Sequence, residues 1–315
     1  MRWEDATFTL PDPSGYRFQA AGMGLNAVDQ LIAVDRYPAR GGKEAIRSIR
    51  VMPGGQVATA MIACRRLGLE KVRYLGKVGD DEAGRLSRRS LEESGVDCRY
   101  LLTEPDTPNQ AAVILIDGET GERTIFWQRS DRLNMTSGEL PAESFCCAPV
   151  LLVDGHDQDA AIRCAAVAKG RGIATMLDVD RVRSRTRELL PLIDFCIGSE
   201  TFPRDLTGEP DLDSALIRAA KECPGFLAAT LGPSGVAFAW EGRVHRVPGF
   251  AVPAVDTTGA GDVFHGAFLY GLVQGWPLGR ILPFANAAAA LNCTALGARG
   301  GLRPAAEVLD FMARA

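Results

Sequence analysis

Short apolar runs alternating with helix-patterned segments constrain this chain more than any other feature. Val150-Leu151-Leu152-Val153 precedes a helical pattern over 158–170, and Ile173-Ala174-Thr175-Met176-Leu177 follows it. A strand that is apolar at successive positions is buried on both faces, and a strand-helix-strand repeat lays neighbouring strands parallel. The alternation therefore predicts a mostly parallel sheet covered by helices. Two regions break it. Leu31 to Val51 and Ala111 to Gln128 read as strands without intervening helices. The second holds Val113-Ile114-Leu115-Ile116, an Asp117-Gly118-Glu119-Thr120-Gly121 turn, then Thr124-Ile125-Phe126-Trp127. The 315 residues allow one large α/β domain or two smaller ones, with no internal repeat, low-complexity tract or interdomain linker.

From Val255 to Phe268 a glycine-rich turn and a lone carboxylate run into a helical pattern. Gly259, Ala260 and Gly261 carry little or no side chain, so their backbone N–H groups can approach an anion closely. At a helix start those groups are unpaired and the dipole end is positive. Val263, Phe264, Ala267, Phe268 and Leu272 repeat at three- and four-residue spacing, and Gly275 reads as a terminator. Asp262 then falls in the first turn. A carboxylate there can deprotonate a hydroxyl while the amides hold the charge of a transferred phosphoryl group. The spacing fits equally a turn whose Asp only caps the helix.

Several function classes are excluded or disfavoured. Thirty-five basic and 39 acidic residues give a formal net charge of −4, with no basic excess for nucleic acid. No run of eighteen apolar residues occurs and the Met1-Arg2-Trp3-Glu4-Asp5 start does not open a signal peptide, so no membrane partner is expected and the cytoplasm is the expected compartment. The eight cysteines show no C-x-x-C pair and read as reduced, mostly buried thiols; His156, His245 and His265 are too scattered for zinc, and His265 reads as packing within the helix. Gly22-Met23-Gly24-Leu25-Asn26-Ala27 has a dinucleotide-like spacing, but Leu31-Ile32-Ala33-Val34 and Arg36-Tyr37-Pro38 read as strand and turn where that fingerprint needs a helix. No G-x-x-x-x-G-K-[ST] string occurs, so this is not a P-loop kinase.

The stretch DTTGAGDVFHGAF resembles the C-terminal signature of the PfkB, or ribokinase-like, family of carbohydrate kinases. Pro53-Gly54-Gly55-Gln56-Val57-Ala58-Thr59-Ala60, running on to Arg66-Leu67-Gly68, resembles the N-terminal signature, and two motifs in order are more specific than one. Gly22 to Asp29 resembles the family's first strand and sugar-binding Asp, Gly76 to Gly84 its GxxGxDxxG segment, and Thr230-Leu231-Gly232-Pro233-Ser234-Gly235 its TxGxxG nucleotide loop. The resemblance implies a ribokinase-like three-layer α/β/α sandwich with a mostly parallel central sheet and a small β lid. It covers residues 18–315, leaves 1–17 as an N-terminal extension, and places the lid in segments of about 31–51 and 111–128. It implies in-line transfer of the ATP γ-phosphoryl group to a sugar hydroxyl, with Asp262 as base and the amides of Gly259, Ala260 and Gly261 as anion hole. Asp29, Gly54, Gly55, Thr59, Lys43 and Arg123 would then face the sugar, and Ser199, Thr230, Gly232, Gly235 and Asn286 the nucleotide. Asp256 and Thr258, with carbonyls near Ala298 to Gly301, match the residues that help bind K⁺ in many members; they serve equally as turn stabilisers. The lid implies a homodimer.

Departures from the family pattern narrow the substrate. Ser199-Glu200-Thr201-Phe202 replaces the usual Asn-x-x-Glu motif, so Mg²⁺ is expected with ATP while its protein contacts stay open. Gln56 and Thr59 stand where ribokinases usually carry Lys and Asn, which disfavours ribose. Asp106-Thr107-Pro108 and Gly121-Glu122-Arg123-Thr124-Ile125 resemble the ketohexokinase (fructokinase) branch. Ala58-Thr59-Ala60, Ser199-Glu200 and Val263-Phe264-His265-Gly266 resemble sulfofructose kinases, whose sulfonate-binding Lys survives as Lys43 while Trp127 and His156 replace the Asn and Arg. A ketohexose such as fructose or a derivative is the expected substrate, with a substrate anion met by Lys43, Arg123 or Arg129. A nucleoside kinase of the same fold and a non-catalytic sugar- or nucleotide-binding relative are the alternatives.

Overall fold

The structure, a computed structural model, describes residues 2–119 and 123–315. β1 (Ala20–Met23) opens the main sheet, and the chain leaves it at once for β2 (Ala27–Val34) and β3 (Ile46–Gly54) of a second sheet. It returns through α1 (Gln56–Leu67), β4 (Val72–Gly79), α2 (Glu82–Glu93) and β5 (Asp97–Glu104). A second excursion adds β6 (Ala111–Asp117) and β7 (Arg123–Gln128). Then follow α3 (Ala142–Phe145), β8 (Val150–Asp154), α4 (Gln158–Gly170), β9 (Ala174–Val179), α5 (Thr186–Leu189) and β10 (Phe195–Ser199). Next come α6 (Thr201–Thr207), α7 (Leu212–Ala219), β11 (Phe226–Thr230), β12 (Val236–Trp240) and β13 (Arg243–Val247). The chain closes with α8 (Ala260–Val273), α9 (Leu278–Asn292) and α10 (Ala305–Arg314).

Among the described residues the main sheet has nine strands in the order β13-β12-β11-β10-β9-β8-β1-β4-β5, antiparallel only at β12 and β13. Successive side chains of β8 serve two cores: Val150 and Leu152 pack with α1, α8 and α9, whereas Leu151 and Val153 pack with α4, α6 and α7. That division makes the sheet the middle of three layers. The strand order reverses between β1 and β8, and in such sheets ligands bind beyond the carboxyl ends of the strands at the reversal. Here Asp154, at the end of β8, accepts a hydrogen bond from the Leu25 N–H just after β1 at 2.6 Å. The glycine string beginning at Gly22 leads into β2 rather than a helix, which removes the dinucleotide reading.

The second sheet, ordered β3-β2-β6-β7, is the lid. Its register aligns Met52, Asp29, Ala112 and Trp127 across the four strands, in the same set as buried Leu31 and Ile114. The opposite face aligns Val51, Gln30, Val113 and Phe126, all exposed. Thr120 to Glu122 lie outside the described residues, and with them the end of the Asp117–Gly121 turn and the start of the Gly121–Ile125 segment. Residues 2–17, without counterpart in the signatures, are packed onto the body. The Trp3 ring meets Phe238 at 5.1 Å, Phe8 meets Phe195 at 4.8 Å, and the Leu278 N–H donates to the Ala6 carbonyl at 2.8 Å. Among the described residues no helix is long and apolar enough to cross a membrane.

Candidate active site

The glycine turn before α8 adopts a left-handed backbone at Gly259, φ 75°, and a Cβ there would lie 2.4 Å from the Ala298 carbonyl oxygen. Only glycine fits; the Ala260 N–H closes the turn on the Thr257 carbonyl at 3.3 Å, and the N–H groups of Gly261 and Asp262 that follow come before the first helical bond. Asp262 is the third residue of that helix, and its carboxylate makes no hydrogen bond among the described residues. It is therefore not spent on capping. Burial first, then the neighbouring Asp178 and Asp29, push its carboxyl up to about 7, against the pull of His265 and Arg299.

His265, one turn further on, is buried with Nδ1 2.7 Å from the Gly261 carbonyl and Nε2 3.1 Å from the Ile197 carbonyl. Its ring links α8 to β10. Asp178, at the end of β9, lies 3.5 Å from Nδ1; it accepts from Gln56 Nε2 at 3.2 Å through Oδ1, while Oδ2 is buried without a partner. Burial and the adjacent Asp154 and Asp180 push its carboxyl well up.

On the lid side, Asp29 is buried, and burial pushes its carboxyl up to about 6 against the opposing charge of Arg299. A Cβ at Gly54 would stand 2.2 Å from Asp29 Oδ2, and Gly55 has φ 91°, so the glycine pair is dictated by Asp29 and the turn into α1. Arg299, which sequence reasoning missed, holds this wall together. Its Nη2 donates to the Gly54 carbonyl at 2.7 Å, Nη1 to Ser90 Oγ at 2.7 Å and Nε to Thr59 Oγ1 at 3.1 Å. Thr59, expected at the sugar, is wholly buried with its hydroxyl turned to Arg299.

Thr230, Gly232, Gly235 and Asn286 line one cavity of about 570 Å³ together with Thr257, Ala260, Gly261 and Phe264. Four of the five predicted nucleotide residues thus meet the Ala260-Gly261 turn in one cleft, of a size suited to a nucleotide. Asn286 holds its rim by donating to the Val247 and Pro248 carbonyls at 3.1 and 2.9 Å. Ser199 does not line the cavity: its Oγ donates to the Asp180 carbonyl at 2.8 Å. Glu200 pairs with Arg204 at 3.0 Å, and no group of three His, Cys, Asp or Glu side chains suited to a metal ion occurs among the described residues.

Asp256 accepts the Thr258 N–H at 2.9 Å and the Gly297 N–H at 2.8 Å, joining the two loops behind Gly259. Asn292 Nδ2 donates to the Ala298 carbonyl at 3.0 Å and the Thr258 carbonyl at 3.4 Å, while Thr258 Oγ1 is buried without a partner. The donor set is all oxygen, which suits a monovalent cation, and the same contacts also stabilise the turn. Of the three expected anion contacts, Lys43 is exposed between β2 and β3, and Arg123 on β7 donates to Thr257 Oγ1, on the phosphate side of the cleft. Arg129 pairs with buried Asp157 at 2.5 Å and donates to the Leu133 carbonyl at 2.9 Å. His156 stacks its nitrogens toward Arg183 Nη2 at 3.2 and 3.4 Å, so an arginine does reach this corner from a place in the chain that motif spacing did not mark.

A three-layer sheet with a detached lid and a glycine-loop carboxylate beside a nucleotide-sized cleft defines the class as ribokinase-like sugar kinases. Residues 24–305 match the pfkB family carbohydrate kinase profile, and the chain belongs to that family. It is 28% identical over 305 residues to a ribokinase of Haemophilus influenzae, covering 93% of this chain and 98% of that one. An Escherichia coli fructokinase is 30% identical over 274 residues, covering 79% and 88%. The solved structure of Arabidopsis thaliana ribokinase complexed with ribose and ATP superposes with a TM-score of 0.79 at 25% identity, covering 94% and 98%. The chain is a carbohydrate kinase, and kinases of this family use ATP.

Proposed function

We propose that this kinase transfers the γ-phosphoryl group of ATP to a hydroxyl of a ketohexose such as fructose or a derivative, with Asp262 taking the hydroxyl proton. The observation that carries the reading is the position of Asp262, unbonded and pushed up to about 7, beside Ala260 and Gly261 at the nucleotide cavity and within the field of Asp29. In the transfer the sugar oxygen forms a bond to the γ-phosphorus, the bond to the β-bridging oxygen breaks, the proton passes to Asp262, and ADP leaves. The amides at the start of α8 hold the charge on the transferred group, and Arg123, bonded to Thr257, adds a positive charge on that side. Asp29 and the Gly54-Gly55 turn hold sugar hydroxyls, and Trp127, in the Asp29 row of the lid, provides an apolar wall.

The ketohexose reading is supported by the Asp106-Thr107-Pro108 segment, by Gln56 and Thr59, and by the fructokinase relative; the ribokinase relatives make ribose the necessary comparison. Magnesium bound to the ATP phosphates would offset part of their charge. Asp256, Thr258 and the Ala298 carbonyl would hold K⁺, which would brace the anion loop from behind. A homodimer joined through the exposed lid face and a cytoplasmic location complete the proposal.

The test is ADP release with Mg-ATP and K⁺ across fructose, other ketohexoses, a sulfonated ketose, ribose and nucleosides. Fructose-class turnover that falls by about 10²- to 10⁴-fold in Asp262→Asn is the expected result. Preference for ribose or a nucleoside would replace the substrate, and unchanged turnover in the variant would remove Asp262 as base.

A further inference from the structure

A second cavity, of about 630 Å³, shares no lining residue with the nucleotide cleft. It opens between the ends of α1 and α2 and the 299–303 segment, and its walls include Arg65, Arg66, Arg299 and Arg303 with the single carboxylate Glu93. Four guanidinium groups around one hollow repel each other unless they are neutralised, and only Arg299, which faces Asp262 and Asp29, has buried carboxylates near it. Arg65 donates to the Leu69 and Ser94 carbonyls, and Arg299 to two hydroxyls and a carbonyl, all of them uncharged acceptors. Arg303 has one loose contact, 3.7 Å from Glu307, and Arg66 is exposed with no ion pair among the described residues. Guanidinium groups suit phosphate, whose oxygens accept several N–H bonds at once, and the volume exceeds what inorganic phosphate alone fills.

Arg299 belongs to both sites. It lines this cavity, holds the Gly54 carbonyl of the sugar-side turn, and faces the negative charges of Asp262 and Asp29. An anion in the cavity competes with those two carboxylates for the same guanidinium.

We propose that this cavity binds a small phosphate monoester, of the chemical class of the kinase's own product, and that its occupation weakens sugar binding by drawing Arg299 away from Gly54 and Asp29. The regulatory half rests on the sugar-kinase reading above; the binding half does not.

The experiment is calorimetric titration of the protein with inorganic phosphate while the nucleotide cleft is filled with excess non-hydrolysable ATP analogue. The wild type is compared with Arg66→Glu/Arg303→Glu and, as a milder change, Arg66→Gln. Neither position touches the catalytic cleft, so kcat without phosphate should stay within about twofold. The expected result is one phosphate per chain in the wild type, held at least about tenfold more weakly by the double variant, and a sugar KM that rises with phosphate in the wild type only. Absence of phosphate binding once the nucleotide cleft is filled, or identical binding and identical KM response in the variants, overturns the proposal. Should no sugar be turned over, calorimetry still decides the binding half.

Discussion

At Asp262 the surroundings work against ionisation: burial, Asp178 and Asp29 raise its carboxyl to about 7, and Arg299 and His265 offset only part of this. Two consequences follow, one for rate and one for stability. A base must be deprotonated to act, so kcat/KM for the sugar should fall as the pH drops below about 7, approaching tenfold per unit. The same shift costs stability. The folded-state value lies above the ordinary 3.8, so the protein is least burdened where Asp262 is protonated in both states, below that ordinary value, and loses stability as the pH rises toward about 7. Asp262→Asn removes the burden. The variant should be more stable than the wild type above neutral pH, by on the order of 1–3 kcal/mol, and equal to it in acid. Urea unfolding of both proteins at the two pH values measures this; equal stability above pH 7 would mean that the carboxylate is well solvated. Asp262 and its glycines were legible in the sequence because one turn contains them all. Arg299 was not, because its partners Gly54, Thr59 and Ser90 lie more than two hundred residues away and no local spacing marks the pairing. Asp178 escaped for the same reason, meeting His265 and Gln56 only once strands β9 and β10 are laid beside α1 and α8.

Between elements, His265 makes the contact from α8 to β10. His265 presents its ring to two buried carbonyls, Gly261 within its own helix and Ile197 on the strand. Replacing it with phenylalanine keeps an aromatic ring among Phe264 and Phe268 but removes the imidazole N–H, of which the neutral ring has one, from beside these carbonyls. A buried acceptor stripped of its partner costs about 1–3 kcal/mol. His265→Phe should therefore lower the unfolding free energy by about that amount, seen as a lower urea midpoint at unchanged slope. A midpoint equal to the wild type would show that water reaches these carbonyls. The alternation of apolar runs fixed strand and helix identity from sequence alone, since β8 and β9 are buried on both faces. What it could not supply was the reversal of strand order between β1 and β8, which depends on packing among residues more than a hundred positions apart.

At the scale of the molecule, the lid carries an unfinished surface. Ile49, Val51, Val113 and Phe126 are exposed by 47%, 57%, 37% and 63%, and the cross-strand register places Val51, Val113 and Phe126 in one row on the face turned away from Asp29. An apolar row interrupted by Gln30 is costly to leave in water, and on the opposite face Leu31, Ala112 and Ile114 are already packed with Met52, Ile116 and Leu296. A second copy of the lid is the partner proposed for this patch, because a two-fold interface needs only a surface complementary to itself. The wild type should sediment as a dimer at micromolar concentration. Phe126→Glu, which places a charge at the edge-strand end of that row, should sediment as a monomer, since an unpaired charge in an apolar interface costs several kcal/mol. Because Asp29 and Trp127 hang from the other side of the same strands, loosening the lid should raise the sugar KM while leaving the ATP KM near its wild-type value. A wild type that is monomeric throughout, or a Phe126→Glu protein that stays dimeric, would remove the lid as the interface and leave its apolar row to be covered by something else.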